Sequence, residues 1–299
     1  MSAGPSKSPS NMDDAGVAIR PIGLQDVDAC GQIAHAAHIA MAAAHNVPSK
    51  HPWVEFPAGL IANKAKDPNA VGFVAERDGR VLGSVFINTY PGSPVAAIGP
   101  LTVDPTAEGA RRFVVQAALE EARNRGHEQV RLIQSLSHLW SVALYANLGF
   151  QVRDLLLLFS GKSAGQEIMG CHVRPAGVDD IAACDRLCAV AYGFTRTFEL
   201  RAAIQQRTAR VVERGHLVSG YTTGLGFGGH AVGQTTDDLK ALIDATTVVL
   251  GSGFFVPTRN GELLDWLFHS GFRASWPAML MTMGPYQDPT KTFLPSLAF

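Results

Sequence analysis

Ile19-Arg20-Pro21-Ile22-Gly23-Leu24-Gln25-Asp26-Val27-Asp28-Ala29-Cys30 returns 154 residues later as Val173-Arg174-Pro175-Ala176-Gly177-Val178-Asp179-Asp180-Ile181-Ala182-Ala183-Cys184, with Arg, Pro, Gly, Asp, Ala and Cys in register. Each stretch reads as a short strand closed by proline, a turn at glycine, and a helix whose first turn carries acid to oppose the positive end of the helix dipole. A chain of 299 residues exceeds what one hydrophobic core usually fills, so a duplicated unit is the economical reading.

Two further echoes follow in the same order. Val74-Ala75-Glu76-Arg77-Asp78-Gly79-Arg80-Val81-Leu82-Gly83 resembles Val211-Val212-Glu213-Arg214-Gly215-His216-Leu217-Val218-Ser219-Gly220. Both predict hairpins, because Asp78-Gly79 suits the positive φ angles of a two-residue turn and Val and Leu alternate around it. Leu144-Tyr145-Ala146-Asn147-Leu148-Gly149-Phe150 is matched by Trp266-Leu267-Phe268-His269-Ser270-Gly271-Phe272, each a helix ended by glycine before a strand. The hairpin glycine and this glycine are 66 positions apart in the first copy (83 to 149) and 51 apart in the second (220 to 271). The second copy is therefore read as shortened. The order strand, helices, hairpin, strand, helix, strand, helix, strand predicts an α/β fold with a mixed sheet in each copy. The Ser, Gly and Lys around Gly161 to Gly170 mark a linker, which gives a tail over 1–16 and domains over 17–162 and 170–299.

Composition narrows the function. Lys plus Arg number 25 against 26 Asp plus Glu, so there is no basic field for nucleic acid or an anionic membrane, and a small molecule or peptide is the expected partner. The longest apolar clusters, 155–159 and 246–250, are strand-sized and far short of a membrane span. The Ser- and Pro-rich start has no charged-then-apolar leader, so a disordered tail and a cytoplasmic location are expected. Cys30, Cys171, Cys184 and Cys188 lack zinc-site pairing and disulfide density and are expected as free thiols, Cys184 and Cys188 as small buried groups on one helix face. The histidines His35, His38, His45 and His51 find no Cys or carboxylate at ligand spacing, so no metal is expected.

The closing stretch His138-Leu139-Trp140-Ser141-Val142-Ala143-Leu144-Tyr145-Ala146-Asn147-Leu148-Gly149-Phe150 resembles the closing motif of the GNAT superfamily, the acyl-CoA N-acyltransferase fold, with His138 where that motif has Asn. In the second copy Asn260 keeps that first position, and Leu267 stands in place of the tyrosine. Nearly the whole chain resembles bacterial proteins with two GNAT domains in tandem, including His45-Asn46-Val47-Pro48, the run 98–105 and the tail 281–299. The resemblance implies two tandem GNAT-like domains, the second degenerate, with acetyl-CoA as cosubstrate and a small amine or peptide as acceptor, in a monomer or homodimer.

That resemblance also implies site residues. GNAT proteins hold the pyrophosphate of CoA on backbone amides between a strand and a helix N-terminus, at Gly-rich positions that here read Glu108, Gly109, Ala110, Arg111, Arg112 and Phe113 after Val103 and Pro105. One glycine remains, so Arg111 and Arg112 are either replacement phosphate ligands or a solvated helix start. Leu101, Thr102 and Val103 would offer backbone groups to the acyl and pantetheine arm, with His138 and Ser141 beside it. Tyr145 is the expected general acid for the departing thiolate, and His45 or Glu55 the candidate base. In the second copy Thr236 or Asp237 is the expected cap after the strand at 230–232, with no phosphate turn. Three functions remain open: an acetyl-CoA-dependent N-acetyltransferase, a catalytically silent binding module, and a GNAT-fold enzyme of other chemistry.

Overall fold

The computed structural model describes residues 16–44, 54–107, 109–136, 139–163, 165 and 167–297. Of the expected 1–16 tail, 1–15 lie outside the described residues. The chain separates into two compact units, residues 1–87 with 98–124, and residues 88–97 with 125–299.

In the first unit, β1 (Ala18–Pro21) runs antiparallel to β2 (Ala70–Arg77), with Ile19 opposite Ala75 and Arg20 opposite Val74. Helices α1 (Val27–Ala44) and α2 (Glu55–Lys66) come between them in sequence, and Cys30, Ala34 and Ile61 pack with Val74 and Phe86. β3 (Arg80–Thr89) and β4 (Val95–Val103) follow and extend across both units, then α3 (Ala110–Asn124). The β2–β3 turn has φ of 51° at Asp78 and 76° at Gly79, the double positive φ that a type I′ hairpin needs.

The second unit contains β5 (Gln129–Ser135), α4 (Leu139–Asn147) and β6 (Gln151–Ser160). After these come β7 (His172–Pro175), α5 (Ile181–Tyr192), α6 (Thr197–Gln205), β8 (Arg210–Arg214) and β9 (Leu217–Thr222). The chain continues through β10 (Ala231–Gly233), α7 (Thr236–Asp244), β11 (Phe254–Pro257), α8 (Gly261–His269), β12 (Arg273–Met283) and β13 (Thr292–Leu294). The β8–β9 turn repeats the first hairpin, with φ of 53° at Gly215 and 69° at His216.

Strand order is β1-β2-β3-β4-β5-β12-β6-β11 in the larger sheet and β13-β10-β9-β8-β7 in the smaller. The mixed α/β architecture with two related halves is therefore present, but the compact units do not follow the boundary at 162–170. The reason is strand pairing. β12 comes from beyond residue 170, yet it lies between β5 and β6, with Leu280 opposite Ile133 on one side and opposite Asp154 on the other. β11 covers the far edge of β6, Phe255 opposite Leu158. β6 and β12 are apolar along their centres, with Leu156, Leu158, Ala278 and Leu280 all buried. Strands of that kind are stable with neighbours on both edges, each fully buried Leu contributing about 1.5–3 kcal/mol.

The opening repeat builds the same polar network twice. Arg20 donates to both Asp26 carboxylate oxygens at 2.7 and 2.8 Å and to Glu76 at 2.9 Å, while the Gly23 amide donates to Asp26 at 2.8 Å. Arg174 does the same with Asp180 at 2.7 and 2.8 Å and Glu213 at 3.0 Å, with the Gly177 amide on Asp180 at 2.7 Å. The arginine hydrogen bonds hold both aspartates below the usual carboxylate range. A planar guanidinium can bridge strand, turn and hairpin at once, which is why Arg, Gly and Asp recur together. The four cysteines are free thiols, three of them buried, with Cys184 and Cys188 in one apolar cluster. Among the described residues no helix is long and apolar enough to cross a membrane.

Candidate functional site in the strand-turn-helix and its second copy

β4 leaves the sheet through a turn organised by Asp104. The Asp104 amide donates to the Leu82 carbonyl at 2.8 Å, fixing the strand end against β3. Its carboxylate accepts from the Thr106 amide at 2.8 Å and hydroxyl at 2.7 Å, and from Arg80 at 2.5 Å. The Thr106 bonds, with Arg80 behind them, hold this carboxyl below its ordinary range. The Ala107 amide donates to the Asp104 carbonyl and the Ala110 amide to the Ala107 carbonyl, at 2.8 and 2.9 Å. Three of the turn's amides thus point inward to close it, which leaves fewer for an incoming anion.

Of the expected cofactor residues, Leu101 and Thr102 are half-buried and Val103 is buried at the end of β4. Gly109 is exposed and Ala110 buried at the start of α3. Arg111 is only 8% exposed, and Phe113 is half-buried. Arg112 is exposed. The arginine pair is therefore split across the buried and exposed sides of α3, Arg111 inward and Arg112 toward solvent. Glu108, His138 and His45 lie outside the described residues. Glu55 is exposed at the first position of α2.

Tyr145 and Ser141 are buried on α4, at 3% and 2% exposure. Gly149, at φ 98°, lets the chain turn back, and the Phe150 amide donates to the Tyr145 carbonyl at 2.9 Å. The Phe150 ring meets the Tyr145 ring edge-on at 5.6 Å. The second copy repeats this cap: Gly271 has φ 85° and the Phe272 amide donates to the Leu267 carbonyl at 3.1 Å. Leu267 is thus the geometric counterpart of Tyr145, without a hydroxyl. Asn260, which keeps the motif's first position, caps α8 by accepting from the Leu263 amide at 3.1 Å.

The second copy's turn is closed to anions. The cap of α7 is Thr235 rather than Thr236 or Asp237, because the Asp238 carboxylate folds back to accept from the Thr235 amide and hydroxyl at 2.8 and 2.9 Å. Asp238 has no exposed surface and also takes hydrogen bonds from Arg214 and Ser219 at 2.8 and 2.7 Å. A carboxylate already stands at this helix start. β13 moreover pairs antiparallel with β10, Phe293 opposite Val232, so the chain itself occupies that strand edge.

Sequence reasoning passed over a buried chain in this unit. The Tyr221 hydroxyl lies 2.8 Å from His230 Nε2, and Thr223 Oγ1 lies 3.3 Å from its Nδ1. Burial, then the Arg196 charge, holds His230 well below the ordinary histidine range. Burial likewise pushes the Cys188 thiol up to about 11. Arg196 is itself matched by Glu199 at 2.5 and 2.6 Å and Ser296 at 2.9 Å, beside a cavity of about 130 Å³ lined by residues 90–93 and 195–199. Asp104 was legible as Asp-Pro-Thr, a turn-forming run; single polar residues inside apolar strands gave no comparable signal.

Comparison with known proteins completes the picture. Mycothiol acetyltransferase of Thermomonospora curvata is 34% identical over 101 residues, 33% of this chain and 29% of that protein. The chain spans about a third of the length of the curated relatives it matches. Among solved structures, a protein from Pyrococcus horikoshii aligns over 98% of both chains with a TM-score of 0.69 at 18% identity. The GCN5-related N-acetyltransferase from Sphaerobacter thermophilus covers 94% of this chain and 100% of its own, with a TM-score of 0.64 at 13% identity. At those identities the likeness concerns the fold. Residues 37–150, the segment that carries the strand-turn-helix and Tyr145, match the acetyltransferase (GNAT) family.

Proposed function

We propose that the chain is an acetyl-CoA-dependent N-acetyltransferase of a small amine, with sequence copies 17–162 and 170–299 as its duplicated halves and the donor held by the first. The observation that carries this reading is the passage of β4 through the Asp104 turn into fifteen-residue α3, within the segment matched to the family. Exposed Gly109 and Arg112 at that helix start suit a phosphate, through the helix dipole and one guanidinium. The relatives named for acetyl transfer support an acetyl donor. In the reaction an unprotonated amine attacks the thioester carbonyl, the C–S bond breaks, and the thiolate leaves with a proton. Tyr145 would supply that proton, and Glu55 or His45 would take the one released by the amine.

A second reading, a silent binding module, is favoured by the inward amides of the turn and the Asp104 carboxylate. Calorimetric titration with CoA and acetyl-CoA separates the two. Binding of one equivalent per chain, lost when Arg112 becomes Glu, is expected; no heat up to millimolar concentration would retire the enzyme. Given binding, Tyr145→Phe should lower turnover at least tenfold while CoA affinity stays within a few-fold, because the hydroxyl acts on the leaving group. An unaltered rate would remove Tyr145 from the chemistry.

A further inference from the structure

Arg131 lies on β5 with 1% of its surface exposed. Its Nε donates to Gln129 Oε1 at 2.7 Å, and the Gln129 amide is tied in turn to the Pro285 carbonyl. The guanidinium carbon sits 5.0 Å from the centre of the Phe194 ring, 5.3 Å from Tyr286 and 5.8 Å from Tyr192. Among the described residues no acceptor meets its two terminal nitrogens, and no carboxylate lies within ion-pair distance. The Tyr192 and Tyr286 hydroxyls, both buried, also have no hydrogen-bond partner among the described residues.

The terminal guanidinium N–H groups and both phenol hydroxyls therefore stand without hydrogen-bond partners, and the neutral phenol oxygens, although able to accept, bring no counter-charge. Rings offer their faces to a cation, but they do not hydrogen-bond its terminal N–H groups. Buried polar atoms are almost always paired, and a buried charge without a counter-charge is costly. Arg196, nearby, does not change the balance, since Glu199 already matches it. Burial lowers the Arg131 guanidinium to about 10, so it remains a cation at neutral pH. A buried water would provide lone pairs and leave the charge uncompensated. We propose that Arg131, Tyr192 and Tyr286 form a binding site for a compact monovalent anion of carboxylate or halide size, taking charge-assisted hydrogen bonds from the guanidinium and one from each phenol.

The site is separate from the acetyl-transfer reading and stands or falls without it. Its test is thermal unfolding of the full chain in formate or bromide at constant ionic strength, balanced with a bulky sulfonate. The wild-type midpoint should rise with each tenfold increase in the small anion, and Arg131→Met should show a flat response. Tyr192→Phe, which keeps the ring in place, should weaken the anion's apparent affinity by about tenfold. A stronger response to formate assigns a carboxylate, and a stronger response to bromide assigns a halide. A wild-type midpoint independent of both anions would overturn the site. So would an anion response unchanged in Tyr192→Phe, which remains decisive if Arg131→Met does not fold.

Discussion

His230 is enclosed by Tyr221 and Thr223 with 1% of its surface exposed, and its pKa is depressed by burial first and Arg196 second. In the unfolded chain an imidazole takes a proton near pH 6.5; in the native state this one does not. The unfolded state thus binds more protons as pH falls below about 6.5, and stability must fall with it, by up to about 1.4 kcal/mol per pH unit for this group. His127, also held low by burial, acts in the same sense. Urea unfolding between pH 7.5 and 5.5 should show a shallower pH slope for His230→Gln than for wild type, and equal slopes would mean that His230 titrates normally. At this scale the sequence was partly legible. The repeated Arg, Gly and Asp marked a repeated strand, turn and helix, but their common network went unread, because the acid was assigned to the helix dipole and not to Arg20 and Arg174. The inward turn of Arg111 was not legible, since one residue of helix rotation decides burial.

Glycine ends α4 and α8 in the same way, and Gly271 offers the cleaner measurement of that cap. A Cβ there would meet no atom within 4 Å, so Gly271→Ala tests only the left-handed φ of 85°. The cost should be about 1 kcal/mol, read as a lower urea midpoint with unchanged slope; a neutral substitution would show that the cap relaxes freely. These helix ends, and both hairpin turns, could be read from sequence because the signal is local: a positive φ selects glycine and its polar neighbours wherever it occurs. The pairing of β12 with β5 could not. An apolar run such as Met279 to Met281 shows that a strand will be buried, while its neighbours are chosen by contacts more than a hundred residues away. The same holds for β13, whose three residues carry no pattern that points to β10.

For the molecule as a whole, β12 between β5 and β6 means that the first sequence copy is incomplete alone. Residues 17–162 expressed separately would leave one edge of β5 and both edges of β6 without partners, and such edges recruit other chains. That fragment should aggregate or remain loosely packed. Co-expression with residues 170–299 should recover a soluble complex with the circular dichroism of the intact chain; a monomeric, cooperatively folding 17–162 fragment would contradict the strand order. The same arrangement sets a clock during biosynthesis. β6 ends at Ser160 and β12 at Met283, and at roughly 5–20 residues per second a ribosome needs on the order of 6–25 seconds to make the stretch between them. For that interval the nascent first copy waits with apolar strand edges uncovered, within reach of chaperones and neighbouring chains, and its sheet closes only once the partner strand has emerged.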